Sequence, residues 1–252
     1  MAEGSREYLG RGVSVYISPD HGFGTDALLL ADFAAGGAAG HSTVAGPVCD
    51  MGTGCGIIPL LLYRNGQKSD IYGIDIQPKA IEQFSRSLHE NGDPSNMHAV
   101  LADIKELPDS VPKGTFKTVI MNPPYKPAGT GILSSSGADQ IARHETECTI
   151  SDAVGAAKRL LNFGGKLVMC SRPERLADVM EAFRLGSIEP KRLRFVQKRP
   201  DTKPWLFLLE GALGGKPYLT VEPPLFIQNE DGGNSKELTR IIGSYAESEE
   251  TN

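Results

Sequence analysis

Three alternating glycines after an apolar run, in Asp50-Met51-Gly52-Thr53-Gly54-Cys55-Gly56, constrain this chain more than any other feature. Residues 47–51 read as a short buried strand and 57–63 as an apolar helix, so the glycines fall where a strand turns sharply into a helix. Such a unit belongs at the carboxyl edge of a parallel sheet, where a ligand can approach the loop backbone. The rest of the chain repeats the theme. Strands are expected at 71–76, 97–101, 116–121 and 167–171. Between them lie helices at 79–91, opened by Pro78, at 151–161, capped by Ser151, and at 175–185. A strand at 13–17 and a helix at 26–35 precede the glycine loop, and strands at 193–197 and 205–209 are spaced to pair as a hairpin. This alternation predicts an α/β architecture, a mostly parallel sheet with helices on both faces.

Composition narrows the function classes. With 252 residues, 40% hydrophobic and 23% charged, the chain suits one soluble domain with a full core. It has no apolar run of about 18 residues and no apolar leader core near Met1, so no membrane partner and a cytoplasmic location are expected. The four cysteines and five histidines lack metal-binding or disulfide spacing, so no metal is expected. Net charge is −5, yet residues 191–203 hold six bases (Lys191, Arg192, Arg194, Lys198, Arg199, Lys203) against Asp201 alone. A basic segment on an acidic body suits contact with a phosphate-bearing partner at one place; a solvated strand face is an equal alternative. The acidic tail from Ala246 is expected to be disordered.

Three acids sit at three successive strand ends: Asp50, Asp75 and Asp103. Asp50 beside the glycines would repel a pyrophosphate but suits the ammonium or sulfonium of S-adenosylmethionine. Asp75, 25 residues on, is placed to accept from ribose hydroxyls, and Asp103, followed by the apolar Ile104, to meet the adenine amine. Taken singly, each could be a turn or cap aspartate. Together they point to S-adenosylmethionine as the cofactor.

Asn122-Pro123-Pro124-Tyr125 closes the strand at 116–121 and falls beside that cofactor edge. The prolines fix φ and remove two backbone donors. Acceptors from the Asn122 side chain and the Pro123 carbonyl match the two hydrogens of a planar amine, and Tyr125 offers a stacking face for a flipped base. Positioning then carries much of the catalysis, because the nitrogen becomes acidic once alkylated. A rigid turn capped by Asn is the structural alternative.

With both motifs in hand, the chain resembles the class I S-adenosylmethionine-dependent methyltransferases. More narrowly, it resembles the bacterial family that methylates N6 of an adenine beside the anticodon of a valine tRNA. The resemblance rests on residues 21–30 (His-Gly-Phe-Gly-Thr-Asp-Ala-Leu-Leu-Leu), 50–59 and 122–125, with Ala142-Arg143-His144-Glu145, residues 172–176, 190–194 and 223–227. It implies a Rossmann-like, seven-stranded, mostly parallel sheet whose last strand runs antiparallel. It also implies one methyltransferase domain over 1–245 with a short N-terminal strand and helix, a tRNA substrate, and a monomer. The implied cofactor set is Gly24, Thr25, Asp26, Asp50, Gly52, Gly54, Gly56, Asp75, Ile76, Asp103, Ile104 and Asn122. The implied catalytic set is Asn122, Pro123, Pro124 and Tyr125. Arg143, Lys191, Arg192, Arg194, Lys198 and Arg199 are the candidate RNA contacts, with a surface ion pair to Glu145 or Glu147 as the alternative for Arg143. The position of Asp75 carries Glu in many relatives. A glutamine-directed protein methyltransferase is the competing reading, weakened by the short segment before the glycine loop; rRNA or DNA amine methylation and a non-catalytic module also compete.

Overall fold

Strand β6 (Phe116–Met121) shows how the sheet is buried. Val119 faces one apolar cluster and Ile120 the other, the period-2 alternation of a strand covered on both faces. The architecture comes from a computed structural model, which describes residues 4–18, 22–37, 43–123 and 148–243. Before β6 come β1 (Ser5–Gly10), β2 (Val13–Ile17), α1 (Thr25–Ala34), β3 (Val48–Met51), α2 (Ile57–Arg64), β4 (Ile71–Asp75), α3 (Pro78–Glu90) and β5 (Met97–Leu101). After it come α4 (Ile150–Leu160), β7 (Leu161–Ser171), α5 (Leu176–Leu185), β8 (Ile188–Gln197) and β9 (Pro204–Leu213), then β10 (Thr220–Val221), β11 (Leu225–Phe226) and α6 (Lys236–Ile242).

The main sheet runs β8-β9-β7-β6-β3-β4-β5, with the short β10 and β11 both pairing with β8. Among the described strands of this sheet, β9 alone runs antiparallel to its neighbours, β7 and β8, as the resemblance implied. Among the described residues the sheet holds these seven strands and, on its outer edge, the two-residue β10 and β11. Helices α1, α2, α3 and α6 cover one face, and α4 and α5 the other.

Several local expectations shift. The cap of α4 is Thr149, whose hydroxyl accepts from the Asp152 amide at 3.1 Å while Asp152 accepts from the Thr149 amide at 3.0 Å, a reciprocal capping box. Ser151 lies inside the helix. The terminal hairpin strands β8 and β9 are 10 residues each, longer than their apolar cores suggest. Helix α2 is apolar all round (Ile57 to Leu62 are buried) because the β1–β2 hairpin covers the side away from the sheet.

That hairpin is docked by a polar ladder on α3. The Asn91 side chain accepts from Ser14 N at 2.9 Å and donates to Ser14 O at 2.7 Å. Ser87 Oγ accepts from Tyr16 N at 2.8 Å, and Gln83 Nε2 donates to Tyr16 O at 2.7 Å. Residues four apart on one helix face thus satisfy the backbone of β2 as a partner strand would.

Candidate active site

Parallel strands end at one edge, and register brings the motif residues together there. Met51 pairs with Ile74 on one side and Met121 on the other, and Met121 pairs with Met169. The next residues out, Asn122 and Cys170, are therefore neighbours, and the Cys170 thiol donates to Asn122 Oδ1 at 3.1 Å. Asn122 Nδ2 donates to Asp26 Oδ2 at 3.3 Å, which joins the start of the tetrad to the first turn of α1.

The glycine loop wraps the end of β3. Gly52, Gly54 and Gly56 have φ of 72°, 55° and 80°, the left-handed region that glycine enters without a Cβ penalty. A Cβ on Gly56 would sit inside the Phe84 ring, so this glycine also serves packing. No described residue crowds the Cβ positions of Gly52 and Gly54, as a loop that receives a ligand against its backbone requires. The loop is held from β4: Gly54 N donates to Asp75 Oδ2 and Gln77 N to Asp75 Oδ1, both at 2.9 Å.

Asp50 is 1% exposed. Neither of its carboxylate oxygens has a hydrogen-bond partner among the described residues, and the Thr53 hydroxyl beside it is also unpartnered. Burial raises the Asp50 pKa to about 7; the nearby Thr53 hydroxyl opposes this and the charge of Asp75 adds to it. Orphaned acceptors next to an open glycine loop fit a ligand that brings donors and positive charge. S-adenosylmethionine carries both, and its sulfonium and ammonium suit this carboxylate.

The remaining cofactor candidates lie on the same edge. Ile76 follows Asp75 and is 41% exposed, an apolar side chain facing outward, whereas Ile104 is buried. Asp103 Oδ1 accepts from Lys105 N at 2.8 Å and its Oδ2 lies 3.6 Å from Lys105 Nζ, so this acid also shapes its own turn. Gly24 is the N-cap of α1 and Thr25 its first residue, both exposed. Asp26 reaches Asn122, a connection that residue spacing does not reveal. Cys170 belongs to no motif; its signal in the sequence is its place in the strand that pairs with β6. Pro123 is partly buried after Asn122, while Pro124, Tyr125 and Arg143 lie outside the described residues.

The basic segment divides. Arg192 donates to Glu222 at 2.6 Å and Glu210 at 2.9 Å and lies over the Phe33 ring. Arg194 forms a bidentate pair with Glu237 at 2.8 and 2.9 Å and donates to Pro223 O. Both guanidiniums, expected at an RNA surface, instead tie β8 to neighbouring segments; their place in the strand turns them inward. Lys191 lies in the first half of β8, away from the carboxyl edge, with Nζ on Lys216 O. Because β8 runs parallel to β7, the turn after it carries Lys198, Arg199 and Lys203 to the edge that holds Asn122. Among the described residues there is no group of His, Cys, Asp and Glu suited to a metal, and no helix long and apolar enough to cross a membrane.

Comparison with known proteins agrees with this geometry. A family model described as a methyltransferase domain matches residues 42–200. Among curated proteins, the tRNA1(Val) (adenine(37)-N6)-methyltransferase of Pseudoalteromonas atlantica is 27% identical over 71% of this chain and 69% of its own. The enzyme of the same name from Tolumonas auensis is 26% identical over 79% of this chain and 81% of its own. Among solved structures, a predicted O-methyltransferase from Agrobacterium tumefaciens superposes with a TM-score of 0.65 at 21% identity, covering 87% of this chain and 96% of that one. At this distance the structural likeness speaks to the fold alone. The matched domain, the strand order and the glycine loop with its acids agree: the chain belongs to the methyltransferase-domain family, as a class I enzyme that uses S-adenosylmethionine.

Proposed function

We propose that this enzyme methylates the exocyclic N6 amine of an adenine in tRNA, the adenine beside the anticodon of a valine tRNA. The observation that carries the reading is Asn122. Its carboxamide stands at the end of β6, in the strand next to β3, which ends in the glycine loop and the orphaned Asp50 carboxylate. The names of the curated relatives supply the RNA and the position.

Bound S-adenosylmethionine supplies an electrophilic methyl on sulfur. The chain's own residues do the rest. Asp50 and the loop from Gly52 to Gly56 hold the charged end of the cofactor, and Asp75 accepts from its ribose with the lone pairs that its two backbone bonds leave over. Ile76 and Ile104 flank the adenine. Asn122 Oδ1 and the Pro123 carbonyl would accept the two amine hydrogens and so orient the nitrogen, and Tyr125 would offer a stacking face to the flipped base. Lys198, Arg199 and Lys203 meet the RNA backbone from the β8–β9 turn. Residues 1–245 act as one catalytic unit.

The test is incubation of the enzyme and labelled S-adenosylmethionine, in parallel reactions, with tRNA from cells lacking this modification, with rRNA and with a release factor, followed by nucleoside and peptide analysis. Labelled N6-methyladenosine in valine tRNA is the expected product. Label confined to rRNA, or to a glutamine of a release factor, would replace this reading with one of its rivals.

A further inference from the structure

The carboxamide of Asn122 has two ends of similar shape and opposite chemistry, since Oδ1 accepts and Nδ2 donates. Turned one way it receives the hydrogens of an incoming amine. Turned the other way it sets N–H against N–H. Rotation by half a turn costs little unless the neighbours oppose it.

Here the amide nitrogen meets a carboxylate, which has fixed character, and the oxygen meets a thiol that donates to it. The Cys170 thiol donates to Oδ1 at 3.1 Å, and Asp26 Oδ2 accepts from Nδ2 at 3.3 Å. A carboxylate only accepts, so a flipped carboxamide would place oxygen against oxygen at Asp26. Asp26 is steadied in turn, with Oδ1 accepting from Ala27 N at 3.1 Å. Cys170 is fully buried, placed by the strand register that sets it beside Asn122. The two neighbours come from separate elements, the first turn of α1 and the end of β7.

We propose that Asp26 and Cys170 are positioning residues that lock the Asn122 carboxamide with its oxygen as the acceptor. The lock rests on the reading of Asn122 as the residue that grips the reacting amine. It prepares the site for a nitrogen that bears hydrogen and sets it against an atom that offers only a lone pair, such as a ring nitrogen of the same base.

Two readouts test this in the full chain with S-adenosylmethionine bound. The first is the side-chain amide signal of Asn122 in protein labelled with nitrogen-15. Wild type and Cys170→Ser, which keeps a donor, are expected to show two well-separated, slowly exchanging amide protons. In Cys170→Ala and Asp26→Ala the pair is expected to move towards solvent values and exchange at least about 10-fold faster. The second is steady-state kinetics on unmodified tRNA. Cys170→Ala is expected to lower kcat about 10- to 100-fold with KM for tRNA within about threefold of wild type, and Cys170→Ser to recover to within about fivefold. An Asn122 signal unchanged in both alanine variants would overturn the proposal. So would a Cys170→Ser enzyme as slow and as thermally weakened as Cys170→Ala, which would reduce Cys170 to packing. If wild type makes no methyladenosine at all, the substrate reading fails while the amide signals still decide the lock.

Discussion

The Gly54 amide donates to Asp75 Oδ2 at 2.9 Å, so the acid at the end of β4 shapes the glycine loop before any ligand arrives. Its other oxygen accepts from Gln77 N at the same distance, which leaves the carboxylate bridging two backbone segments. Replacement by Asn is therefore not conservative: one end of an amide must face a backbone N–H with its own N–H. Both Asp75→Ala and Asp75→Asn are expected to weaken S-adenosylmethionine binding by at least about 10-fold, the scale of a charge-assisted hydrogen bond worth about 1.5–3 kcal/mol. Calorimetric titration with the cofactor checks this. Asp75→Asn binding as wild type does would show that the bridge is dispensable.

Asp50 gives a prediction of opposite sign for stability. Its pKa is raised from 3.8 to about 7 in the folded protein, so between those values the folded state holds a proton that the unfolded state has lost. Cofactor-free stability should then fall as pH rises from about 4 to about 7 and level off above. Asp50→Asn should remove this dependence and stabilise the cofactor-free protein at pH 8 by on the order of 1–4 kcal/mol, while abolishing cofactor binding. Thermal unfolding across pH, with and without S-adenosylmethionine, measures both. A substitution that lowers Tm at pH 8 would contradict the account.

Cations of the basic segment should separate into two classes. Glu210, 3% exposed, engages Arg192 at 2.9 Å and Lys166 at 3.0 Å, so Arg192→Ala leaves a buried carboxylate short of a partner. A loss of about 3 kcal/mol in unfolding free energy is expected, the scale of a broken buried pair. Lys198→Ala with Arg199→Ala should leave stability within about 0.5 kcal/mol, because the ion pair of Arg199 among the described residues is with the exposed Asp201 at 3.2 Å. The same double change should weaken tRNA binding and reduce its salt slope by about 2. Binding curves at several salt concentrations, beside denaturant titrations, distinguish the classes.

The β1–β2 hairpin should open when its ladder is cut. Asn91 makes two hydrogen bonds to Ser14 and one, at 2.6 Å, to Ser87 O. Asn91→Ala strands the Ser14 N–H and C=O, at an expected cost of about 1–3 kcal/mol. The loss should be local, seen as faster hydrogen exchange across residues 13–17 with little change in β6 or β7. Uniform acceleration over the sheet would mean that the hairpin is part of the global fold.

What could be read without coordinates was local and periodic. The glycine loop after an apolar run announced a strand–loop–helix turn, and the alternation of such units implied a parallel sheet covered on both faces. The apolar run at 116–121, buried except at Lys117, and Pro78 at the head of α3 also lay in the residues themselves. The cap of α4 lies two positions before the expected Ser151, because the reciprocal bond between Thr149 and Asp152 depends on backbone geometry and Ser151 is an equally good cap by type. Burial of Arg192 and Arg194 was illegible for a different reason. A row of cations looks the same whether it meets water or partners such as Glu210 and Glu237, which lie 18 and 43 residues away.

Sequence by itself determined the chemistry available at the strand ends: an acid, glycines, a second acid, and an amide followed by prolines. Those are properties of residue type and short spacing, and they do not change with the path of the chain. Only the tertiary structure decided which of these groups touch. Strand register set Cys170 against Asn122, and the packing of α1 on the sheet brought Asp26 to the other end of the same carboxamide across 96 residues. Burial, a property of the whole fold, raised the pKa of Asp50 to about 7 and left its carboxylate without a hydrogen-bond partner among the described residues. Long-range contact and desolvation are not encoded at any one position, which is why the residues were visible in the sequence and their relationships were not.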